Sequence, residues 1–284
     1  MRLEAEIISL DSMAVYRGME IGTAKPELAA RDAVPHHLLD LVEPSEDFSI
    51  SQFLDAAHQA IGEIQTRGKE VLFVGGTPLY LKALLRGLTE GPDADPKFRA
   101  ALEAEAEEFG SLMLHERLEK IDPEAAERIH PHDTRRIVRA LEVFEKTGEP
   151  ISRSQSQFSQ GSDAKDCRVF VLDWPRAILH DRINRRVDEM FASGLVDEVR
   201  GLLAKHGRLG KTAAQAVGYR EVLQHLSGDR DLAETIEVTK ARTRQFARRQ
   251  LIWYRGLSEC RWISMAENRM AAELSDEILS ADES

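Results

Sequence analysis

Cysteine is nearly absent. The 284 residues hold two, Cys167 and Cys260, too few for a disulfide framework or a cysteine-based zinc site, so both read as reduced packing residues. No apolar run approaches the ~20 residues that a bilayer crossing takes, and the amino terminus MRLEAEIISL lacks the basic-then-apolar layout of a secretory signal. These absences exclude a stapled secreted fold and a membrane protein, and predict a cytoplasmic one. A phosphate loop is missing too. Gly207-Arg208-Leu209-Gly210-Lys211-Thr212 comes nearest, but the G-x-x-x-x-G-K-[ST] spacing needs glycine where Lys205 stands, and the segment follows a helical pattern instead of a strand. It reads as a flexible loop. His36-His37 and His130/His132 have no cysteine or carboxylate at ligand spacing, so no metal site is assigned to them. There is no internal repeat.

What is present is charge, unevenly spread. The chain has 38 Lys+Arg and 49 Asp+Glu, a net −11, and its 42% hydrophobic content is ample for one or two globular domains. The stretch from Lys240 to Arg255 carries Lys240, Arg242, Arg244, Arg248, Arg249 and Arg255 with no acid. Such a basic patch inside an acidic protein is a candidate for meeting phosphates.

Ile7-Ile8-Ser9-Leu10, ending at Asp11-Ser12, reads as a buried strand. Ser51 to Arg67 has a helical apolar period stopped by Gly68. Val71-Leu72-Phe73-Val74 reads as a second buried strand running into Gly75-Gly76-Thr77-Pro78, with Thr77 as N-cap of a helix over Leu79 to Leu88. This order predicts an α/β fold with a parallel sheet and flanking helices. From residue 91 the composition turns to Ala, Glu and Leu without a strand signal, predicting a helical insertion over 91–165 between core segments 1–90 and 166–284. Its trailing SQSQFSQG reads as a loop or hinge. A third strand at Arg168 to Leu172 precedes long helical patterns over Arg176 to Lys205 and Leu232 to Leu257.

Asp11, at the carboxyl end of a strand, is either a turn former or a carboxylate facing the ligand crevice. Gly75-Gly76-Thr77 is either a tight connection or a turn open to a ligand's approach. Arg182 and Arg186, one helical turn apart, can clamp a diphosphate; intrahelical pairing, as of Arg185 with Glu189, is the alternative. Lys240, Arg244 and Arg248 fall on one stripe, and Arg242 and Arg249 on another, beside Trp253 and Tyr254. That pattern suits RNA backbone contact and base stacking, or a solvated helix.

The run Ile7-Ile8-Ser9-Leu10-Asp11-Ser12-Met13-Ala14-Val15-Tyr16 through Gly22-Thr23-Ala24-Lys25-Pro26 resembles the tRNA dimethylallyltransferases. So do, in the family's order, Pro35-His36-His37-Leu38-Leu39-Asp40, Gly75 to Tyr80, Arg128-Ile129-His130-Pro131, Arg135 to Glu142, Gly218-Tyr219-Arg220-Glu221 and Arg248-Arg249-Gln250 to Trp253. The resemblance covers nearly the whole chain. It implies a P-loop NTPase-like fold and transfer of a dimethylallyl group from dimethylallyl diphosphate to N6 of adenosine 37, beside the anticodon. It also implies Asp11 as the base and Arg186 with Mg2+ on the leaving diphosphate. Ser12, Met13, Ala14 and Thr77 would border the adenine. Arg135, Arg136, Ile137, Val138 and Arg139, Gln215, Ala216, Val217, Gly218, Tyr219 and Arg220, and Arg248, Arg249, Gln250, Trp253 and Arg255 would grip the anticodon stem-loop, with Arg182 on the substrate side. A monomer is expected.

The family pattern also includes, upstream of Asp-Ser, a strand and a phosphate loop close to Gly-Pro-Thr-Ala-Ser-Gly-Lys-Thr that this sequence does not contain. Either the natural product begins upstream by about one strand-loop-helix unit, ~30 residues, or this is a degenerate copy. The retained downstream motifs favour the first. A non-catalytic tRNA-binding remnant and a small-molecule kinase of the P-loop class are the competing readings; the kinase leaves the basic carboxyl-terminal helix unexplained.

Overall fold

A computed structural model describes residues 4–87, 91–155, 161, 163 and 167–281. It divides into two compact units, Met1–Ala83 with Ser162–Ser284, and Leu84–Gly161. The chain opens with strand β1 (Ala5–Leu10), then α1 (Leu28–Ala33), β2 (His36–His37), α2 (Ile50–Thr66), β3 (Glu70–Gly75) and α3 (Pro78–Arg86). The β-branched run of β1 makes it the middle of a parallel sheet ordered β2-β1-β3, with Ile7 opposite both His36 and Leu72. Helix α2 starts on a reciprocal capping box between Ser49 and Gln52 and buries Phe53, Ala57, Ala60 and Ile64, one stripe at helical spacing.

The β3 expectation needs correcting. Glu70, Leu72 and Val74 share one face of the strand by its period of two, and that face is exposed, Leu72 at 41% and Val74 at 50%. β3 pairs with β1 alone among the described residues and so forms an edge of the sheet there.

The second unit is helical: α4 (Pro96–Phe109), α5 (Ser111–Ile121), α6 (Pro123–Arg128), α7 (Thr134–Thr147) and α8 (Ile151–Gln155). Asp95, Asp122 and Asp133 each cap a helix with the side chain, the first two followed by proline at the first helical position. Leu102, Leu114, Leu118, Ile137, Val138 and Leu141 form the core. Most of the SQSQFSQG stretch lies outside the described residues.

Glu142 sits fully buried in this unit. It accepts from Arg99 Nε at 2.8 Å and Arg99 Nη2 at 2.7 Å, from Arg139 Nη1 at 2.5 Å and from the Asp95 amide at 2.6 Å. Burial alone would raise its pKa, but these donors outweigh it and hold the carboxyl at about 2. A folded-state pKa below the ordinary 4.5 means that stability from this group is complete above about pH 4.5 and is lost as pH falls toward 2. Glu142→Gln is therefore expected to lower stability at pH 7 and to flatten the acid limb of the unfolding profile between those values. Urea melts across pH check this, and an acid limb as steep as wild type would contradict it.

The first unit resumes with β4 (Val169–Asp173), α9 (Arg176–Ala192), α10 (Leu195–His206), α11 (Tyr219–Leu226), α12 (Leu232–Arg255), β5 (Cys260–Ser264) and α13 (Ala271–Ser280). The helical pattern read over Arg176 to Lys205 is two helices, because Gly194 adopts a left-handed backbone at φ 98° and turns the chain between them. β5, which the sequence reading omitted, pairs parallel with β4, Val171 opposite Trp262. The core gathers Val15, Tyr16 and Met19 onto Leu195, Val199, Leu202, Tyr219 and Val222.

Candidate active site

Asp11 leaves the carboxyl end of β1 in a tight turn. Its Oδ1 accepts from the amides of Met13 at 2.8 Å and Ala14 at 3.4 Å, so the turn-forming role is real. Oδ2 takes no hydrogen bond among the described residues, and the side chain is partly exposed. Asp11 thus has one oxygen that fixes its orientation and one free to accept a proton.

The β3–α3 turn holds this loop from the side. Thr77 donates its amide to Leu10 O at 3.0 Å, and its hydroxyl accepts from Ser12 N at 3.1 Å and faces Ser12 Oγ at 3.4 Å. The hydroxyl expected to cap α3 is thereby used across the site. A Cβ on Gly75 would lie 2.5 Å from the Leu10 backbone, and one on Gly76 would lie 2.5 Å from Gln250 Nε2; the glycine pair is there for close approach. Tyr80 stacks on Phe53, ring centroids 3.8 Å apart, and anchors α3 on α2; burial pushes its phenol pKa up, as do nearby Tyr16 and Asp11.

The segment after Asp11 is pinned by buried charge. Lys25 Nζ, its side chain 1% exposed, donates to Tyr16 O and Asp40 Oδ1 at 2.5 Å and to Glu20 Oε1 at 3.0 Å. Arg31 joins both acids from outside, at 3.0 Å each. Glu198 on α10 accepts the amides of Glu20, Ile21 and Gly22, and the Tyr219 hydroxyl at 2.5 Å. Gly22 lies against Tyr219 so closely that a Cβ there would sit 2.4 Å from the ring. Gly22→Ala is expected to destabilise the protein by roughly 1–3 kcal/mol through overpacking, measured by chemical denaturation; an unchanged midpoint would contradict this packing.

Arg182, Arg185 and Arg186 are exposed on α9 and line a cavity of about 630 Å³ with Trp174, Leu179, Ile183 and Glu189. Arg182 lies over the Trp174 ring, 4.4 Å from its centroid. Arg185 and Glu189 make no ion pair among the described residues. Trp174 escaped the sequence reading; its place at a strand end before a helix, where parallel sheets bind ligands, was the available signal.

On α12 the structure redistributes the basic patch. Lys240 pairs with Asp188 of α9 at 2.7 Å, Arg244 bonds Asn184 one turn away, and Arg242 reaches the buried Glu221. These three serve helix packing. Arg248, Arg249, Trp253 and Arg255 remain exposed, with Phe246, a residue not anticipated, 5.9 Å from the Arg249 guanidinium. Gln250 donates to Gly76 O.

Several residues expected to line the RNA turn inward. Ile137, Val138, Ala216 and Tyr219 are buried, Ala14 is 4% exposed, and Gly218 donates to Glu221 at 2.7 Å. Ile137 and Val138 pack into the core of the helical unit, and Ala216 and Tyr219 into that of the other unit, which leaves Gln215, Val217 and, on α11, Arg220 accessible. Arg135 and Arg136 are exposed on the first turn of α7, whereas Arg139 is committed to Glu142 and to Pro92 O at 3.0 Å. Met13 is half-buried and packs beside the core.

The IPP transferase family pattern matches residues 14–257. The chain belongs to the IPP transferase family. It is 47% identical over 274 residues to a tRNA dimethylallyltransferase of Rhodopirellula baltica, covering 96% of this chain and 82% of the relative. It is 46% identical over 266 residues to tRNA dimethylallyltransferase 1 of Trichlorobacter lovleyi, covering 94% and 87%. The full-length tRNA isopentenylpyrophosphate transferase of Bacillus halodurans superposes with a TM-score of 0.68 at 40% identity, over 99% of this chain and 89% of that one. A eukaryotic dimethylallyltransferase captured acting on tRNA gives 0.77 at 27% identity, over 98% and 74%. The fold is accordingly the P-loop NTPase-like α/β fold of this family, with parallel strands in sheets of three and two among the described residues.

Proposed function

We propose that this protein transfers a dimethylallyl group from dimethylallyl diphosphate to N6 of adenosine 37 in tRNA, releasing diphosphate. The observation that carries the reading is the Asp11 carboxylate, oriented through Oδ1 by two backbone amides and open at Oδ2. An exocyclic adenine amine is a weak nucleophile because its lone pair is delocalised into the ring. Its lone pair attacks the allylic carbon, the carbon–oxygen bond to the diphosphate breaks with its electrons leaving on oxygen, and an N6 proton passes to Asp11 Oδ2. The adenine must be out of the base stack to present N6, and Ser12 and Thr77 border the place where it would sit.

Negative charge grows on the departing diphosphate. Arg186, with Arg185 and Arg182 on the same exposed cavity, stands ready to stabilise it. A divalent cation such as Mg2+ suits a diphosphate, but among the described residues no three His, Cys, Asp or Glu side chains gather. They therefore form no dedicated cation cage. Arg248, Arg249, Trp253 and Arg255 on α12, Arg220 on α11, and Arg135 and Arg136 on α7 are the side chains we assign to the anticodon stem-loop. No described helix is long and apolar enough to cross a membrane, and we place the protein in the cytoplasm, working as a monomer.

The reading is tested by incubating the full-length protein with unmodified tRNA, dimethylallyl diphosphate and magnesium. Diphosphate release should match, mole for mole, the N6-dimethylallyladenosine recovered on digestion. Diphosphate release without modified nucleoside, or neither, would refute it.

A further inference from the structure

Gln250 sits among the exposed Arg248, Arg249 and Trp253 of α12, yet its own side chain turns inward and donates to Gly76 O. Gly76 precedes Thr77, whose hydroxyl accepts from Ser12 N at 3.1 Å and whose amide bonds Leu10 O at 3.0 Å. Leu10 and Ser12 flank Asp11. Gln250, Gly76-Thr77 and Leu10-Asp11-Ser12 therefore form an unbroken chain of contacts from the basic helix to the carboxylate. The approach is close enough that a Cβ on Gly76 would lie 2.5 Å from Gln250 Nε2.

We infer that Gln250 is a positioning residue: it sets the Gly76-Thr77 turn, and through it Asp11, from the helix that faces RNA, and it does not itself grip RNA. The inference rests on the proposed prenyl transfer and on Asp11 as its base. Its chemistry is specific. Gly76 O needs a donor, so an amide or an ammonium at position 250 serves, whereas a methyl group leaves the carbonyl unpaired and a carboxylate repels it.

The test is kinetic. In the full-length protein Gln250→Ala is expected to lower kcat about tenfold, with KM for dimethylallyl diphosphate and Kd for tRNA within about twofold of wild type. Gln250→Lys, which restores a donor, should recover part of the rate; Gln250→Glu, of nearly the same size, should not. Combined with Thr77→Val, the loss should fall short of the product of the single effects, because both act on one turn. Should Gln250→Ala fold poorly, Gln250→Glu against Gln250→Lys makes the same comparison. Weakened tRNA binding at unchanged kcat would make Gln250 a direct RNA contact and overturn the inference. Fully multiplicative effects with Thr77→Val, or equal rates for Glu and Lys, would also overturn it. Absence of transfer in the wild-type protein would instead count against the proposed function.

Discussion

Asp11→Asn is expected to lower kcat for prenyl transfer by about 10²–10⁴-fold, the range general-base catalysis contributes, while leaving tRNA affinity nearly unchanged. Asparagine is the informative replacement because its carbonyl oxygen can still accept from Met13 N and Ala14 N, which keeps the turn. Its amide cannot serve as the proton acceptor. Asp11→Ala removes both functions, so it should lose at least as much rate and some stability besides. If Asp11→Asn retains near-normal turnover, the carboxylate is a turn former only, and the base lies elsewhere. Filter binding at several salt concentrations separates this from an effect on RNA, because phosphate contacts show themselves in the salt slope.

Arg186→Ala is expected to lower kcat/KM for dimethylallyl diphosphate by about 10²–10³-fold, comparable to removing one preorganised donor from a developing anion. Arg182 is engaged with the face of Trp174, and Arg185 and Arg186 complete the cationic lining of the same cavity. Lysine at 186 keeps the charge but not the planar fork, so Arg186→Lys should fall between wild type and alanine. Product inhibition gives an independent reading. Pyrophosphate should inhibit Arg186→Ala markedly less than wild type, and equal inhibition would remove Arg186 from the leaving-group side.

The contrast between α12 and β1 explains how much of the site could be read from sequence. Strand β1 and the turns at Asp11 and Gly75-Gly76 are local: a short apolar run, an Asx-forming acid and a glycine pair carry their own instructions. The use of Lys240, Arg242 and Arg244 is not local. Each meets a partner 21 to 60 residues away, Glu221, Asp188 or Asn184, and helical periodicity cannot distinguish a cation awaiting phosphate from one paired with a neighbouring helix. Ile137, Val138 and Tyr219 carry the same lesson for apolar side chains within motifs: a motif bounds a functional segment, and burial decides which of its members face outward. The Gly194 break escaped notice because the apolar spacing continues across it. β5 escaped because Cys260-Arg261-Trp262-Ile263-Ser264 mixes a charge into a strand whose parallel partner lies far upstream.

The most direct measurement offers the full-length protein two tRNA transcripts that differ only at the nucleotide beside the anticodon, adenosine or guanosine, with labelled dimethylallyl diphosphate. Label should enter the adenosine transcript alone and reside on N6 after digestion. Equal labelling of both, or of neither, would contradict the account.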